Sequence, residues 1–345
     1  MRKITITSKL LHFLHPAETS RGVYNTRLSF YLKLTSDEQP NVVGVGECAT
    51  LPDLSCDAMP PNEYKRKLRA FCNEYERTGI INYEAMRPYP SMLFGIETAV
   101  AQFNAKGSLN FFGTPFGRGE EGIPINGLVW MGTFNEMFNR MEEKLKAGYH
   151  CVKLKIGAID FEQELQLIQH IRASFSRNDV ELRVDANGGF TPKEALSRIE
   201  ALAQYDIHSI EQPIKQHQWT EMARLCAETP LPIGLDEELI GVNDKQKKIE
   251  LLDTIRPQYI VLKPSLHGGM AGTKEWIQLA RARHIGSWIT SALESNVGLN
   301  AIAQLTAHIY GTNIHHAQGL GTGQLFADNV RMPLKVIDDR LWITQ

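Results

Sequence analysis

From Ile123 onward the chain repeats one pattern: a short apolar run, an amphipathic stretch, then another short apolar run. The runs are Ile123–Trp130, His150–Ile156, Glu181–Asp185, Ile207–Glu211, Leu231–Leu235, Tyr259–Leu262, Ile285–Thr290 and Ile314–Gln318. Runs this short, rich in Val, Ile and Leu and separated by helical segments, predict parallel strands buried on both faces. Eight such units close into a (β/α) barrel. The connecting stretches Asp160–Phe175 and Thr191–Ala203 have helical periodicity. The second opens with Thr191-Pro192-Lys193-Glu194, a capping-box pattern with proline at the first helical position.

The first hundred or so residues have a different texture. Strands are predicted at Lys3–Phe13, Leu28–Thr35 and Val42–Cys48, and helices at 60–80 and Ser91–Asn104. In the second helix Leu93, Ile96, Val100 and Phe103 share one face. Polar loops are expected at 15–27 and 50–61, and the tail from Val330 ends in a strand-like segment that could return to this first region. The fold class is therefore α/β: a modified (β/α) TIM-type barrel over 119–325, with an α+β N-terminal capping domain over 1–118 completed by 326–345. A chain of 345 residues with 43% hydrophobic content is long enough to bury both cores.

Formal net charge is −2, so no global basic field points to nucleic acid or an anionic membrane. The basic cluster Lys245-Gln246-Lys247-Lys248 reads as a solvated helix face. The N-terminus has no uninterrupted apolar segment and reads as a first strand, not a signal peptide, and no apolar run approaches a membrane span. Five scattered cysteines without a C-x-x-C pair argue against a disulfide framework or structural zinc and fit a reducing cytoplasm. Nothing in the sequence fixes an oligomeric state.

The strand ends carry the chemistry. Lys153 and Lys155 alternate with Val152, Leu154 and Ile156, so both lysines face one way. On an arbitrary strand that would be a solvated face. Here the following strands end in Asp185, Glu211, Asp236 and Lys263, each about one βα unit after the last. Charged groups ending successive apolar strands share one destination, the C-terminal mouth where barrel enzymes keep their active sites. Three converging carboxylates repel and need a cation. Oxygen ligands without His or Cys favour Mg²⁺ over zinc, and Mn²⁺ can substitute. An ammonium of pKa about 10.4 is no base at neutral pH, but a nearby metal and a second ammonium disfavour its charged form. A lysine so placed can remove the proton α to a carboxylate held by the metal, giving an enediolate.

KLK at 153–155, VDAN at 184–187, EQP at 211–213, LDE at 235–237 and KP at 263–264 together resemble the enolase superfamily, muconate-lactonizing subgroup. The resemblance covers nearly the whole chain. It implies Asp185, Glu211 and Asp236 as metal ligands, Lys155 and Lys263 as the acid/base pair, Lys153 as their helper and Asn187 as a polar neighbour of the substrate. Glu237 and Glu238 are assigned to outer-shell or solvent-facing positions. Dipeptide epimerases of the subgroup typically carry Asp-x-Asp at the eighth strand end; GLGTG at 319–323 has none, which implies an anionic substrate without an amine. Ser291, Ser295, Thr322 and the backbone around Gly321 are candidate contacts for a second carboxylate, and Arg21 and Tyr24, with Asn25, candidate contacts from the cap. SALES at 291–295, GLGTG and RGVYNTR at 21–27 are most similar to a dehydratase of the family. That enzyme eliminates water from a cyclohexadiene carboxylate bearing a succinyl side chain, a step of menaquinone synthesis. The partner is then a small-molecule carboxylate, with no nucleic acid and no membrane.

Other readings have distinct signatures. A racemase, epimerase or cycloisomerase of the same superfamily, such as an N-acylamino acid racemase, would use the same lysines without losing water. A Schiff-base aldolase would be trapped by borohydride and indifferent to chelator. An inactive scaffold would not need the full charge set. His315 and His316 are adjacent, so in a strand they face opposite ways and cannot chelate together. The glycines at 319–323 lack the following helix and ribose-binding acid of a dinucleotide site. Trp130 and Met131, ending the first strand, are read as lining or core.

Overall fold

The structure is a computed structural model and describes residues 1–19, 22–157 and 159–344. The first part is a three-stranded antiparallel sheet of β1 (Arg2–Thr19), β2 (Gly22–Ser36) and β3 (Gln39–Ala49), in that order. It is covered by α1 (Pro61–Thr78), the short α2 (Tyr83–Met86) and α3 (Pro90–Asn104). The amphipathic faces predict this packing: Tyr64, Leu68 and Phe71 of α1, and Leu93, Ile96 and Phe103 of α3, share a buried core with Ile4, Phe30, Leu32 and Leu34. Glycine sets how closely β3 meets α3. A Cβ on Gly44 or Gly46 would lie 1.9 Å from the carbonyl oxygen of Ala99 or Gly95, so V-V-G-V-G is the only texture that lets strand and helix touch backbone to backbone.

The described residues of the predicted polar loop at 15–27 are instead part of this sheet. β1 and β2 run on as a two-stranded arm with Ala17 opposite Tyr24, after a register shift between His12 and Ala17. The arm is supported from behind, because Leu14 N donates to Leu325 O at 2.8 Å and Ala327 N to His12 O at 2.9 Å. Backbone pairing there outweighs the polar composition that predicts a loop.

Between its first and last strands the barrel follows as predicted. In chain order this part of the chain contains β4 (Ile123–Pro124), β5 (Gly127–Val129), α4 (Phe134–Lys146), β6 (Cys151–Lys155), α5 (Phe161–Ser174), β7 (Glu181–Asp185), α6 (Pro192–Ala203), β8 (Ser209–Glu211), α7 (Trp219–Glu228) and β9 (Ile233–Leu235). There follow α8 (Lys245–Ile255), β10 (Tyr259–Leu262), α9 (Gly269–Arg281), β11 (Gly286–Ile289) and α10 (Asn296–Tyr310). Seven parallel strands lie in the order β11-β10-β9-β8-β7-β6-β5. At the start of α6, Glu194 reaches back to accept from Thr191 N at 3.1 Å, the reciprocal half of the predicted capping box.

The first and last predicted strands differ. The first run splits at Pro124, which has no N–H to offer, so only Gly127–Val129 joins the barrel while Ile123–Pro124 pairs elsewhere. The eighth is reduced to single parallel bridges, Ile125 with Gln318 and Thr290 with Gly319. Residues 311–316 before it are mostly polar and exposed, His315 and His316 included, with Ile314 alone packed against the core. These bridges still close the barrel: Gln318 N donates to Pro124 O at 2.8 Å and Gly319 N to Ile289 O at 2.9 Å.

The tail also departs from expectation. Residues 325–327 do return to the arm, but the hairpin β12 (Leu334–Ile337) and β13 (Arg340–Ile343) pairs with β4, not with the capping sheet. Leu341 and Ile343 are buried in the barrel core. Lys248 is a second correction. It is buried and paired with Glu275 at 2.9 Å, its ammonium over the Trp276 ring, so the basic cluster is not a uniformly wet face. All five cysteines are free, and among the described residues no helix is long and apolar enough to cross a membrane.

Candidate active site

The barrel's register brings the predicted charges together. Lys155 of β6 stands opposite Asp185 of β7, and Asp185 opposite Glu211 of β8. Glu211 pairs with Gly234, so Asp236 lies two residues further along its strand direction and on the same face. Lys263 directly follows β10. Each of these side chains is nearly or fully buried. The strands therefore deliver Lys155, three carboxylates and Lys263 to the barrel mouth, with Lys153 reaching up from one layer deeper.

Lys153 donates to Glu211 Oε2 at 2.6 Å and lies 2.8 Å from Asp185 Oδ2. It reaches the carboxylates rather than Lys155 itself. Lys155 lies 3.4 Å from the same Asp185 oxygen and donates to Asn187 Oδ1 at 2.6 Å, with the Trp130 ring centroid 5.7 Å from its ammonium. Lys263 donates to Asp236 Oδ2. Burial alone would strip these groups of charge, and their partners reverse it. Asp185 and Glu211 hold the Lys153 ammonium well above its ordinary range, and Asp236 holds Lys263 up. Lys153 and Lys155 keep the Asp185 carboxyl far below the usual carboxylate range, and Lys263 lowers Asp236. Glu211 goes the other way, raised by burial and then by repulsion from Asp185, although Lys153 donates to it.

Among the described residues the carboxylates do not close into a ready three-donor cage; ammonium groups sit between them. The oxygens still fit a cation. Glu211 Oε1 and Asp236 Oδ1 are buried and accept no hydrogen bond, and Glu211 feels both neighbouring carboxylates. Buried carboxylate oxygens without a partner are costly, and a hard divalent cation satisfies them. Asp185, Glu211 and Asp236 could hold one.

Lys153, Lys155, Asp185 and Lys263 line a cavity of about 350 Å³, with Glu211 and Asp236 set behind its wall. Its walls take Ser291, Gly321, Thr322 and Asn187 from the barrel, Tyr24 and Leu14 from the arm, and Leu51 and Leu54 from the 50–61 loop. Ser291 and Thr322 hydroxyls are hydrogen-bonded at 2.6 Å. Tyr24 donates to Asp53, tying arm and loop together. Ser295 is a correction: it is no part of the cavity wall but caps α10 and donates to Glu47 Oε2 at 2.5 Å. Arg21 lies outside the described residues. Glu237 and Glu238 are buried, not solvent-facing. Glu237 accepts from Asn187 Nδ2 at 3.1 Å and Glu238 from His217 N at 2.8 Å.

Sequence reasoning passed over two supports. Gln212, with φ of 40°, turns so that its Oε1 accepts from Asp236 N and Glu238 N, both at 3.2 Å. Its adjacency to Glu211 in E-Q-P was the available signal. His267 accepts from Lys263 N at 2.8 Å through Nδ1, and burial pushes its imidazole down to about 3, so it stays neutral. Its place four residues after Lys263 carries no signal without the turn that folds it back.

A parallel barrel with a lysine on either side of three mouth carboxylates, closed by a separate α+β cap, defines an acid–base enzyme acting next to a carboxylate. Residues 136–344 match the family described as enolase C-terminal domain-like. The chain belongs to this enolase superfamily, whose members imply a divalent cation. It is 44% identical to the o-succinylbenzoate synthase of Desulfotalea psychrophila over 94% of this chain and 95% of that one. The crystal structure of MenC from the same organism superposes with a TM-score of 0.82 at 40% identity, covering 99% of both chains. Muconate lactonizing enzyme from Pseudomonas putida shares the fold at 21% identity, TM-score 0.80, over 99% of this chain and 94% of that one.

Proposed function

We propose that this chain is a Mg²⁺-dependent dehydratase, an o-succinylbenzoate synthase acting in menaquinone synthesis, with residues 1–118 as cap and 119–325 as catalytic barrel. The observation that carries the proposal is the lysine arrangement: Lys155 donates to neutral Asn187 and lies 3.4 Å from Asp185, whereas Lys263 donates directly to anionic Asp236. The two ammonium groups are equipped differently, as a one-base elimination requires.

Asp185, Glu211 and Asp236 would hold the cation. When bound it supplies positive charge against the substrate carboxylate and makes that carboxylate an electron sink. Lys155, as the free amine, takes the proton from the carbon α to the carboxylate. Lys263 faces the developing negative charge as an ammonium and stays protonated. Lys155 then returns its proton to the departing hydroxyl, which leaves as water while the ring becomes aromatic. Ser291, Thr322 and the backbone at Gly321 bind the succinyl carboxylate, while Tyr24, Leu51 and Leu54 exclude water from the mouth. The end of the eighth position, Gly319–Gly323, offers no carboxylate for a substrate amine, which favours this reading over a dipeptide epimerase.

The test is incubation with the succinyl cyclohexadiene carboxylate and Mg²⁺. An aromatic product lighter by one water is expected. An isomer of unchanged mass would replace the dehydratase with a racemase or cycloisomerase.

A further inference from the structure

The cavity wall that follows the seventh barrel strand is held from outside the barrel. Ser291, Ala292 and Leu293 line the cavity. Arg27 of β2 is buried and donates to the carbonyl of Ala292 and, at 3.1 Å, to that of Ala49. Glu47 of β3 is buried and accepts four hydrogen bonds: from Ser29 Oγ at 2.8 Å, Ser295 N at 3.0 Å, Ser295 Oγ at 2.5 Å and Gly298 N at 2.9 Å. Three of the four come from the start of α10, where unpaired N–H groups and the helix dipole favour an anion. From within the barrel, Glu294 accepts from Ala292 N at 2.6 Å and from Ser265 Oγ. The segment 291–295 is thus fixed at its middle carbonyl, its middle N–H and its far end, and two of these holds belong to the cap.

Joining the two domains does not need these charges. An apolar cluster of Ala17, Leu51, Ile240, Leu266, Ala292 and Leu293 already spans the junction. Burying a carboxylate and a guanidinium costs more than extending that cluster would. What the charges add is direction, since each hydrogen bond sets where a particular backbone atom of the wall stands.

We propose that Arg27 and Glu47 are positioning residues for substrate recognition: from the capping domain they fix the wall after the seventh strand and so place Ser291 against the second carboxylate of the substrate. This rests on the dehydratase reading. It assigns the cap a role in shaping the barrel side of the pocket, in addition to closing over it.

Two substitutions test it, Glu47→Gln, which keeps shape and loses charge, and Arg27→Met, which keeps length and loses both donors. With Mg²⁺, each is expected to raise KM for the cyclohexadiene dicarboxylate about tenfold or more while kcat stays within about threefold. The Kd of the aromatic dicarboxylate product should rise in parallel. Ser295→Ala removes one of the four Glu47 bonds and should shift KM and Kd the same way by less. Ser29→Ala leaves the three α10 bonds in place and should stay within about twofold. A role in packing alone would lower the melting temperature and leave KM and Kd where they are. Folded Glu47→Gln and Arg27→Met proteins with wild-type KM and Kd overturn the proposal. If Glu47→Gln does not fold, wild-type KM and Kd in Ser295→Ala overturn it equally. Wild-type protein that neither turns over the substrate nor binds the product brings down the dehydratase reading and this proposal with it. Wild-type turnover with unshifted variants brings down this proposal alone.

Discussion

Lys155 and Lys263 differ in what their removal leaves behind, and that difference can be measured without substrate. Take away Lys155 and Asp185 still has Lys153 at 2.8 Å. Take away Lys263 and Asp236 Oδ2 loses its lysine, while Oδ1 already accepts nothing. Stranding a buried charge costs about 3–5 kcal/mol, roughly 5–10 °C in melting temperature for a chain of this size. In metal-free protein, Lys263→Ala should therefore melt about 5–10 °C below wild type and Lys155→Ala within about 2 °C. Lys155→Ala should be inactive with Mg²⁺, since a positioned general base contributes about 10²–10⁴-fold, or about 3–5 kcal/mol of barrier, and Lys263→Ala should lose activity with the cation that faces the developing charge. Arginine separates them further. Lys155→Arg cannot take up the α-proton at neutral pH and should be as inactive as Lys155→Ala. Lys263→Arg can still pair with Asp236, so it should recover the melting temperature and retain measurably more activity than Lys263→Ala. Scanning fluorimetry in EDTA and the absorbance of the aromatic product read these out. The reasoning fails if Lys155→Ala melts as low as Lys263→Ala. Equal and complete inactivation by arginine at both positions would instead indicate a two-base racemase.

Three further outcomes are expected. EDTA should abolish turnover and Mg²⁺ or Mn²⁺ restore it, with Asp185→Asn, Glu211→Gln and Asp236→Asn each weakening metal binding by calorimetry; normal turnover in fully chelated protein would exclude the metal. Shortening the arm within residues 15–27 should raise KM or lower kcat with Mg²⁺ affinity unchanged, and an unaffected kcat/KM would place the substrate elsewhere. Glu97 of α3 docks on the start of α9, accepting from Met270 N at 2.5 Å and Ala271 N at 3.0 Å, and burial raises its carboxyl from the ordinary 4.5 to about 8. The folded protein holds that proton while the unfolded chain releases it, so the stability tied to protonated Glu97 is complete below about pH 4.5 and drains away as pH climbs through about 8. Glu97→Gln should gain about 3 °C or more on wild type between pH 5 and pH 8, and a constant difference across that range would refute the assignment.

Much of this architecture is legible from the sequence because it depends on local patterns. Runs such as L-R-V-D and Y-I-V-L announce both a strand and the charged group at its end. Those charges had to meet because a parallel barrel puts every strand's C-terminal end on one side. What was not legible depends on contacts between distant segments. The arm at 15–27 reads as a loop until Leu325 and Ala327 are brought behind it. Lys248 reads as wet until α9 supplies Glu275 and Trp276. Ser295 reads as a substrate contact because it lies near a strand end, whereas Glu47, far away in the chain, claims it. Glu237 and Glu238 have no apolar periodicity to announce burial, and only the turn after β9 takes them inside.

The way the barrel closes also sets when it can exist. Its seam is drawn shut by Gln318 and Gly319, bridging to Ile125 on one side and Thr290 on the other, with the β12–β13 hairpin then sealing β4. On the ribosome the chain emerges N-terminus first, so the cap's sheet and seven barrel strands emerge before the piece that joins the two edges. Until then β5 and β11 each present an unpaired parallel edge. The mouth that gathers Lys155, the carboxylates and Lys263 takes its final curvature only once Gln318 and Gly319 have emerged, and a chain cut short before Gln318 would leave an open, aggregation-prone sheet instead of a slower enzyme.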